Sequence, residues 1–431
     1  MNQPKNNGNL IAIITMFFLF AMISFVTNLA APIGTIWKGQ FGDSGVLGML
    51  GNFMNFLAYL FMGIPAGKML EKIGYKKTAL TALAVGFIGL FVQYLSGVVG
   101  SDPTTGFSVY LTGAFICGFS VCMLNTVVNP MLNLLGGGGN KGNQLIQTGG
   151  ALNSLSGTLT PLFVGALIGS ITPKTSISDV NPLLFIAMGI FILSFLIILA
   201  VAIPEPHNSS KGATVKNAHS PWSFRHFILG GIAIFMYVGI EVGIPGTLIF
   251  YLSDAKTGLG EGATAIAGAI AAIYWLLMLV GRSLSSVISG KVSSRTQLIT
   301  VSVAGIAFVA LAIFMPESIK VSMPGYADGA FILKEVPISA MFLVLCGLCT
   351  SVMWGGIFNL AVEGLGKYTA QASGIFMMMV VGGGVLPLIQ NGIADATSYM
   401  TSYWLVVAVF GYMLYYGLIG SKNVNKDIPV E

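Results

Sequence analysis

The chain has 431 residues, of which 55% are apolar and only 8% are charged, with a formal net charge of +5. Ordinary soluble domains carry about 25% charged residues, so this composition excludes a soluble globular protein and predicts a polytopic membrane protein. The basic residues collect in short loops between apolar segments, a pattern that orients membrane proteins and does not indicate a nucleic-acid partner. No catalytic or metal-binding arrangement of residues stands out, so we expect neither an enzyme nor a cofactor.

Twelve apolar runs follow one another along the chain, each near the roughly 20 residues that a helix needs to cross a bilayer. They lie at 10–37, 45–69, 78–99, 107–135, 145–170, 183–204, 227–252, 263–290, 297–315, 337–362, 370–394 and 401–420. The runs are continuous and lack the alternation of membrane β-strands. The sequence therefore predicts an all-α fold of twelve transmembrane helices.

The basic residues also predict the orientation. With both termini in the cytoplasm, the outer side receives only Lys38, Lys174, Lys256, Lys320 and Lys334, and the other fifteen of the twenty Lys and Arg residues fall inside. Cytoplasmic loops carry an excess of Lys and Arg in this way. We expect an integral protein of the inner (plasma) membrane with both termini cytoplasmic.

The longest polar interruption, "PEPHNSSKGATVKNAHSPW" (204–222), falls between the sixth and seventh runs. It is rich in Pro, Ser and Lys and has little to bury, which is typical of a linker. We therefore predict an N-terminal six-helix bundle at 1–204, a cytoplasmic linker at 205–224 and a C-terminal six-helix bundle at 225–431.

Two segments suggest that these halves are repeats, as in many transporters. The first run contains "NLAAPIGTI" from Asn28, and the seventh contains "EVGIPGTLI" from Glu241, each with a proline four residues later, at Pro32 and Pro245. A proline at that spacing removes a helical hydrogen bond, so we expect both helices to be weakened beside the polar side chain. We expect Asn28 and Glu241 to face each other near the middle of the membrane.

The loop after the second run, "GKMLEKIGYKK" (67–77), fits Gly-x-x-x-(Asp/Glu)-(Arg/Lys)-x-Gly-x-(Arg/Lys)-(Arg/Lys) and resembles the signature loop of the major facilitator superfamily. An ordinary positive-inside loop is the alternative for its lysines. We expect Gly67 to let two helices approach, Glu71 to pair with a basic group or cap the next helix, and Gly74 to make the turn. The conformational signature loop is thus predicted to comprise Gly67, Glu71, Lys72, Gly74, Lys76 and Lys77.

Within that superfamily the chain resembles the fucose permease-like family of fucose/galactose/glucose:cation symporters, in its glucose/galactose transporter branch. The segments that carry the resemblance are "FFLFAMISFVTNLAAP" (17–32), "LNTVVNPMLNLLG" (124–136), "NQLIQTGGALNSLSG" (143–157), "YVGIEVG" (237–243) and "GIFMMMVVGGGVLPL" (374–388). The resemblance implies a major facilitator fold with two pseudo-symmetric bundles. It also implies cation-coupled import of a hexose or 6-deoxyhexose through alternating access.

Two departures from the family bear on the coupling ion. Fucose permease-like members carry a coupling Asp in the first span and a Glu in the fourth, and the matching positions are Asn28 and Asn125. Asparagine cannot take up a proton near neutral pH. The glucose/galactose branch carries a Glu in the span-seven motif, and Glu241 matches that Glu. The resemblance therefore implies coupling at Glu241, by H⁺ or by Na⁺ bound near it.

A carboxylate at the centre of a transmembrane helix costs about 2.5–3.5 kcal/mol and needs a cation partner or a proton. Arg282 is the only arginine in a predicted span, and we expect it to lie too close to the cytoplasmic end of its helix to neutralise Glu241. We therefore predict that Glu241 binds and releases a proton. The alternative is a permanently protonated Glu241 that bonds to a neighbouring helix as packing.

Sugar recognition needs amide and hydroxyl groups together with aromatic faces. The predicted substrate-binding residues are Asn28, Asn125, Asn129, Gln147, Asn153, Tyr237, Trp275, Trp354, Asn359 and Gln390. Each carboxamide could instead be a hydrogen bond between helices. The glycine-rich run "VGGGVLP" (381–387) predicts close packing or bending of the eleventh helix.

The sequence as a whole predicts a monomeric secondary active transporter whose partners are a sugar, H⁺ or Na⁺, and the bilayer. The alternatives are a multidrug or other metabolite transporter of the same superfamily, a uniporter without ion coupling, and a nutrient sensor that does not transport. A multidrug exporter would favour a wide apolar cavity over a set of carboxamides.

Overall fold

The computed structural model describes residues 7–99, 102–136, 139–168, 175–205, 219–260, 262–288, 292–327, 330–365, 368–425 and 427–429, so most of the predicted linker lies outside it. Within these residues twelve helical segments are long and apolar enough to cross a membrane, which confirms the predicted number and the all-α class. Spans 1 to 12 are Asn9–Gln40, Gly45–Leu70, Lys72–Ser96, Pro103–Leu132, Thr148–Ile168, Ile177–Ala200, Arg225–Ser253, Ala263–Ser285, Ser294–Phe314, Ile338–Val362, Gly374–Ala396 and Tyr399–Gly420.

Because the number of spans is even, both chain ends lie on one side of the bundle, here called the terminal side, and the opposite side is the far side. Spans 1 to 6 are the first half and spans 7 to 12 the second half. The two halves meet chiefly where span 2 packs on span 11 and span 5 packs on span 8. Large apolar side chains such as Phe185, Leu193 and Leu284 are exposed on the outside of the bundle, as a surface in contact with lipid requires.

Several spans contain breaks. The helices are Asn7–Asn28, Ala30–Gln40, Gly45–Ser96 (spans 2 and 3), Pro103–Leu135, Gly139–Ile168, Asn181–Ala200, Arg225–Ser253, Ala263–Ile288, Ser294–Phe314, Ile338–Thr350, Met353–Val362, Thr369–Met379, Gly382–Ala396, Tyr399–Ser402 and Trp404–Tyr415, followed by a π-helical turn at Tyr416–Gly420. Span 1 breaks directly after Asn28, at the position that Pro32 weakens. Span 7 continues unbroken through Pro245, so the predicted weakening appears in the first repeat only.

A two-stranded antiparallel hairpin, which the search for apolar runs did not anticipate, lies on the far side between spans 9 and 10. Strand β1 is Lys320–Ala327 and strand β2 is Ala330–Pro337, with Ala327 paired to Ala330. The two residues between them are Asp328 and Gly329, and Asp-Gly is a strong signal for a two-residue hairpin loop. Strand β1 contacts the beginning of span 8 and the end of span 5.

Three consecutive glycines bring spans 2, 7 and 11 into close contact, as the glycine-rich run predicts. A Cβ atom at Gly382 would overlap the backbone carbonyl of Phe235 in span 7. A Cβ at Gly383 would lie 2.7 Å from the ring of Phe56, and one at Gly384 would lie 2.9 Å from the carbonyl oxygen of Phe53. Span 11 also breaks here, between helices that end at Met379 and begin at Gly382.

Gly382→Ala should therefore lower the thermal unfolding temperature of the purified protein by several degrees. The new methyl group would meet backbone rather than a movable side chain, and overpacking of this kind costs about 1–3 kcal/mol. Gly374→Ala in the same span is the matched control, because a Cβ there meets no described residue within 4 Å. Equal unfolding temperatures for the two variants would contradict the close approach.

Candidate functional site

A small cavity of about 40 Å³ lies between the two halves. Asn28, Asn52 and Trp275 line it, together with Pro161 of span 5 and Pro245 of span 7. This volume has room for about three water molecules. Ligand pockets measure roughly 300–1,000 Å³, so a molecule larger than a few waters can enter only if the helices move apart.

Polar and aromatic groups come close together around Asn28, beside the cavity. The Asn28 Nδ2 atom donates to the Ser24 carbonyl oxygen at 2.9 Å and to the Ser24 Oγ at 3.2 Å. A Cβ at Gly157 would lie 3.4 Å from Asn28 Nδ2 and 3.2 Å from the ring of Trp275, so these groups surround one position. An amide, a hydroxyl and an indole face together can bind a polyhydroxy ring that has one apolar face.

Asn28 and Trp275 are thus the two predicted binding residues that the structure places in the cavity. Three others make hydrogen bonds within the first half. Asn125 Nδ2 donates to the Tyr59 hydroxyl at 2.8 Å, and Asn129 Nδ2 donates to the Asn125 carbonyl at 2.9 Å. Asn153 Nδ2 donates to the Phe20 carbonyl at 3.1 Å. These bonds fit the alternative role of carboxamides as links within and between helices.

The remaining predicted residues are dispersed. Tyr237 is fully buried and packs at an angle on Trp354, with ring centroids 6.3 Å apart. Gln390 is buried in span 11, where its Oε1 would contact a Cβ at Gly243. Asn359 is exposed near the terminal side of span 10. The side chain of Gln147 lies outside the described residues.

Glu241 forms an ion pair with Arg282, whose Nη2 atom lies 3.1 Å from the Glu241 Oε1, and each side chain is only 14% exposed. The expectation that Arg282 lies too far away was wrong. Arg282 is six residues before the end of its helix at Ile288, which is about 9 Å along the axis, and its long side chain covers the remaining distance. The carboxylate in the centre of span 7 therefore has a cation partner, which also removes the need for permanent protonation.

The same arginine connects the two halves on the terminal side. Its Nη1 atom donates to the Gly150 carbonyl oxygen at 2.8 Å and to the Ser154 Oγ at 2.9 Å, both in span 5. The buried Tyr237 hydroxyl lies beside the Glu241–Arg282 pair but meets no partner at hydrogen-bonding geometry among the described residues. Movement of span 5 away from span 8 would break both contacts of Nη1.

Polar contacts also join the halves on the far side. The Asp395 Oδ1 accepts from the Gly45 backbone N–H at 2.8 Å, and its Oδ2 accepts from the Ser44 hydroxyl and the Val46 N–H, both at 3.0 Å. A carboxylate from span 11 thus caps the first turn of span 2, where unpaired N–H groups and the helix dipole favour negative charge.

A second far-side contact involves Lys38, which is 6% exposed at the end of span 1. Its Nζ donates to the Tyr399 hydroxyl at 2.7 Å and lies 5.5 Å and 5.4 Å from the ring centroids of Phe250 and Tyr399, within the range of cation–π attraction. Contacts thus join the two halves on both sides of the small cavity, an arrangement called the closed state below.

Sequence reasoning missed Asn52 and Asn391, two buried asparagines that donate hydrogen bonds to other spans. Asn52 lines the cavity, and its Nδ2 donates to the Gly383 carbonyl at 2.8 Å. Asn391 Nδ2 donates to the Thr247 Oγ1 at 3.0 Å, between spans 11 and 7. Both residues are visible in the sequence as polar groups inside apolar runs, but the sequence does not show which way each helix is rotated.

The signature loop is held by a residue that the sequence did not indicate. Glu205, which follows span 6, accepts from the Tyr75 and Lys76 backbone N–H groups at 2.8 Å and 2.9 Å and so caps span 3. The side chain of Glu71, the expected cap, lies outside the described residues. Gly74 makes the turn with φ of +82°, as predicted.

Lys76 and Gly67, at the two ends of this loop, differ in whether they contact a neighbouring helix. Lys76 Nζ donates to the carbonyls of Leu199 and Val201, both at 2.9 Å, where a cation is favourable at the end of span 6. The interpretation of Gly67 was wrong for this structure, because a Cβ there would meet none of the described residues within 4 Å. Gly67 therefore does not mediate close helix packing in this closed state.

Comparison with known proteins identifies relatives along the whole chain. Residues 13–388 match the model of the Major Facilitator Superfamily. A glucose/galactose transporter of Brucella abortus biovar 1 (strain 9-941) is 32% identical over 98% of this chain and 96% of its own length. The L-fucose-proton symporter of Escherichia coli (strain K12) is 22% identical over 94% of this chain and 92% of its own. The crystal structure of an E. coli fucose:proton symporter aligns with a TM-score of 0.68 and 18% identity, covering 97% of this chain and 100% of that one.

Proposed function

Because the chain belongs to the Major Facilitator Superfamily, in its fucose permease-like family, we propose that it imports a monosaccharide together with H⁺ or Na⁺. The substrate class is a hexose or 6-deoxyhexose. The observation that carries the proposal is the small cavity between the halves, which Asn28 and Trp275 both line. The relatives named for glucose, galactose and fucose support this substrate class.

Recognition would combine hydrogen bonds with stacking. The Asn28 amide and the Ser24 hydroxyl can exchange hydrogen bonds with sugar hydroxyls, and the Trp275 indole can cover an apolar face of the ring. Asn125 and Asn153 stay predictions as sugar contacts. They would have to leave their present partners, Tyr59 and the Phe20 carbonyl, as the cavity opens.

During alternating access, the contacts on the terminal side and those on the far side would break in turn. Opening towards the terminal side would break the bonds of Arg282 to Gly150 and Ser154. Opening towards the far side would break the cap of Asp395 on span 2 and the contact of Lys38 with Tyr399. Transporters of this architecture bind substrate near the membrane midplane between two such gates.

Glu241 would couple the cation to this movement. A proton or Na⁺ on the carboxylate would compete with Arg282 for it, and Arg282 also holds span 5. Cation binding would thereby loosen the terminal-side contact. A ligand shifts such an equilibrium only through its different affinity for the two states, and this competition supplies the difference.

The location follows from the same family and from the distribution of charge. We propose a monomer in the inner (plasma) membrane, with the terminal side in the cytoplasm, because fifteen of the twenty Lys and Arg residues fall on that side.

Uptake into proteoliposomes tests the proposal. Labelled glucose, galactose and fucose are offered with an imposed pH gradient, an imposed Na⁺ gradient or neither, and liposomes without protein are the control. Accumulation of one of these sugars above its outside concentration under one gradient is the expected result. Equilibration without any gradient effect would identify a uniporter, and transport of a dye or drug instead of a sugar would overturn the substrate class.

The signature loop provides a prediction for the rate. Gly74→Val should slow sugar exchange with little change in equilibrium affinity, because φ of +82° is unfavourable for a β-branched residue and its Cβ would overlap the Glu205 carboxylate. The loop lies away from the cavity and would affect the rearrangement only. Gly67→Ala is the control, since that Cβ would contact none of the residues that the structure describes. A weaker affinity with an unchanged rate would contradict this role.

A further inference from the structure

The carbonyl of Gly383 lacks its regular helical partner. In an α-helix the N–H four residues later binds each carbonyl, and for Gly383 that position is Pro387, which has no N–H. A buried carbonyl without a donor is costly, particularly inside a membrane. Gly383 also lies at the break in span 11, where the Gly383 and Gly384 N–H groups bond to Val380 and Val381, three residues earlier.

Asn52 supplies the missing donor from the other half of the protein. Its Nδ2 lies 2.8 Å from the Gly383 oxygen, and the residue is 3% exposed. The backbone of span 11 approaches span 2 closely enough for this bond because positions 383 and 384 are glycines. The Asn52 Oδ1 accepts no hydrogen bond from the residues that the structure describes. Asn52 also lines the central cavity beside Asn28 and Trp275.

We propose that Asn52 is a further solute-binding residue, which presents its Oδ1 to a hydroxyl of the transported sugar when its Nδ2 is bound to Gly383. The bond to Gly383 fixes the orientation of the carboxamide. That bond exists only while spans 2 and 11 are in contact. Asn52 therefore binds solute best in the closed state, so solute binding favours closure. The identification of the solute as a sugar rests on the proposed function. The bond between Asn52 and Gly383 is independent of it.

The bond between Asn52 and Gly383 can be tested without any solute. Asn52→Ala leaves the Gly383 carbonyl without a donor and should lower the unfolding temperature. Pro387→Ala restores a backbone N–H at position 387, so in the double variant the carbonyl regains a helical partner. The loss caused by Asn52→Ala should therefore be smaller in the Pro387→Ala background, a non-additivity that a double-mutant cycle measures. Additive effects would overturn the proposed role of the carbonyl.

The contact with solute is tested by equilibrium binding of glucose, galactose and fucose, followed by the fluorescence of the purified protein. Asn52→Ala should weaken binding about tenfold, because a hydrogen bond to solute and the fixed orientation are both lost. Pro387→Ala should weaken it by less, about threefold, since the restored N–H competes with Asn52 for the Gly383 carbonyl while Asn52 keeps its own oxygen. In the double variant binding should be no weaker than with Asn52→Ala alone.

Asn55→Ala is the matched control, because Asn55 is a buried asparagine one turn further along span 2 and does not line the cavity. It should leave sugar affinity unchanged. If the wild type binds sugar and Asn52→Ala binds it equally well, the inference fails and the proposed function stands. If the wild type binds none of the three sugars, the proposed function fails, and the assignment of Asn52 to a sugar fails with it.

Discussion

Arg282→Met should destabilise the protein more than the double substitution Arg282→Met with Glu241→Gln. The single variant leaves the Glu241 carboxylate 14% exposed in the middle of span 7 without its cation. Removing one partner of a buried ion pair typically costs 3–5 kcal/mol, about the cost of an uncompensated charge, whereas replacing both partners by neutral groups can be nearly neutral. Thermal unfolding of the purified variants at neutral pH measures the difference.

Ser154→Ala separates the charge effect from the contact with span 5. This variant removes one hydrogen bond of Arg282 and leaves the ion pair intact, so it should cost only about 1 kcal/mol. If the double variant is as unstable as Arg282→Met alone, the damage comes from the lost link to Gly150 and Ser154. In that case the ion pair itself adds little to the fold.

The sequence predicts the membrane topology well because span number depends on local properties. A run of about 20 apolar residues has to form a helix in a bilayer, since no other conformation satisfies its backbone there. Single residues add further local detail, such as the break after Asn28 that Pro32 favours, the close packing at Gly382 and the positive φ of Gly74.

Contacts between distant residues could not be predicted in this way. Asp395 caps span 2, Glu205 caps span 3, and Arg282 reaches Glu241 and span 5, and in each case the partners come from different spans or loops. Which residues meet depends on the rotation, tilt and register of each helix. Hydropathy is similar around most of these helices and therefore carries little of that information.

Because the sequence does not show how each helix is rotated, it also could not show which of the predicted binding residues lie in the cavity. A carboxamide in a membrane helix can bind a substrate or satisfy a nearby backbone group, and the residue type is the same in both cases. Asn129 and Asn28 each donate to the carbonyl four residues before them, and Asn28 in addition lines the cavity. By sequence alone, Asn52 does not differ from the other polar residues of span 2. Its role depends on Pro387, more than three hundred residues away, which leaves the Gly383 carbonyl without a helical donor.

Glu241→Gln should abolish uphill accumulation of sugar while sugar exchange between two equal pools survives. Glutamine keeps the shape of the side chain and an oxygen that can still accept a hydrogen bond from Arg282, but it cannot change charge. Exchange needs binding and the movement of the two halves, with no net release of the cation. Accumulation needs the cation gradient to act on a group whose binding state differs between the two sides of the membrane.

Proteoliposome transport under an imposed gradient and under equal-pool conditions measures the two activities. Glu363→Gln is the matched control, because Glu363 carries the same side chain just beyond the end of span 10, and its accumulation of sugar should equal that of the wild type. In the wild type, proton coupling makes the outside more alkaline as sugar enters, whereas sodium coupling makes sugar bind more tightly when Na⁺ is present. Sugar that is still concentrated by Glu241→Gln would show that the Glu241–Arg282 pair only holds helices together, and the coupling site would then have to lie elsewhere.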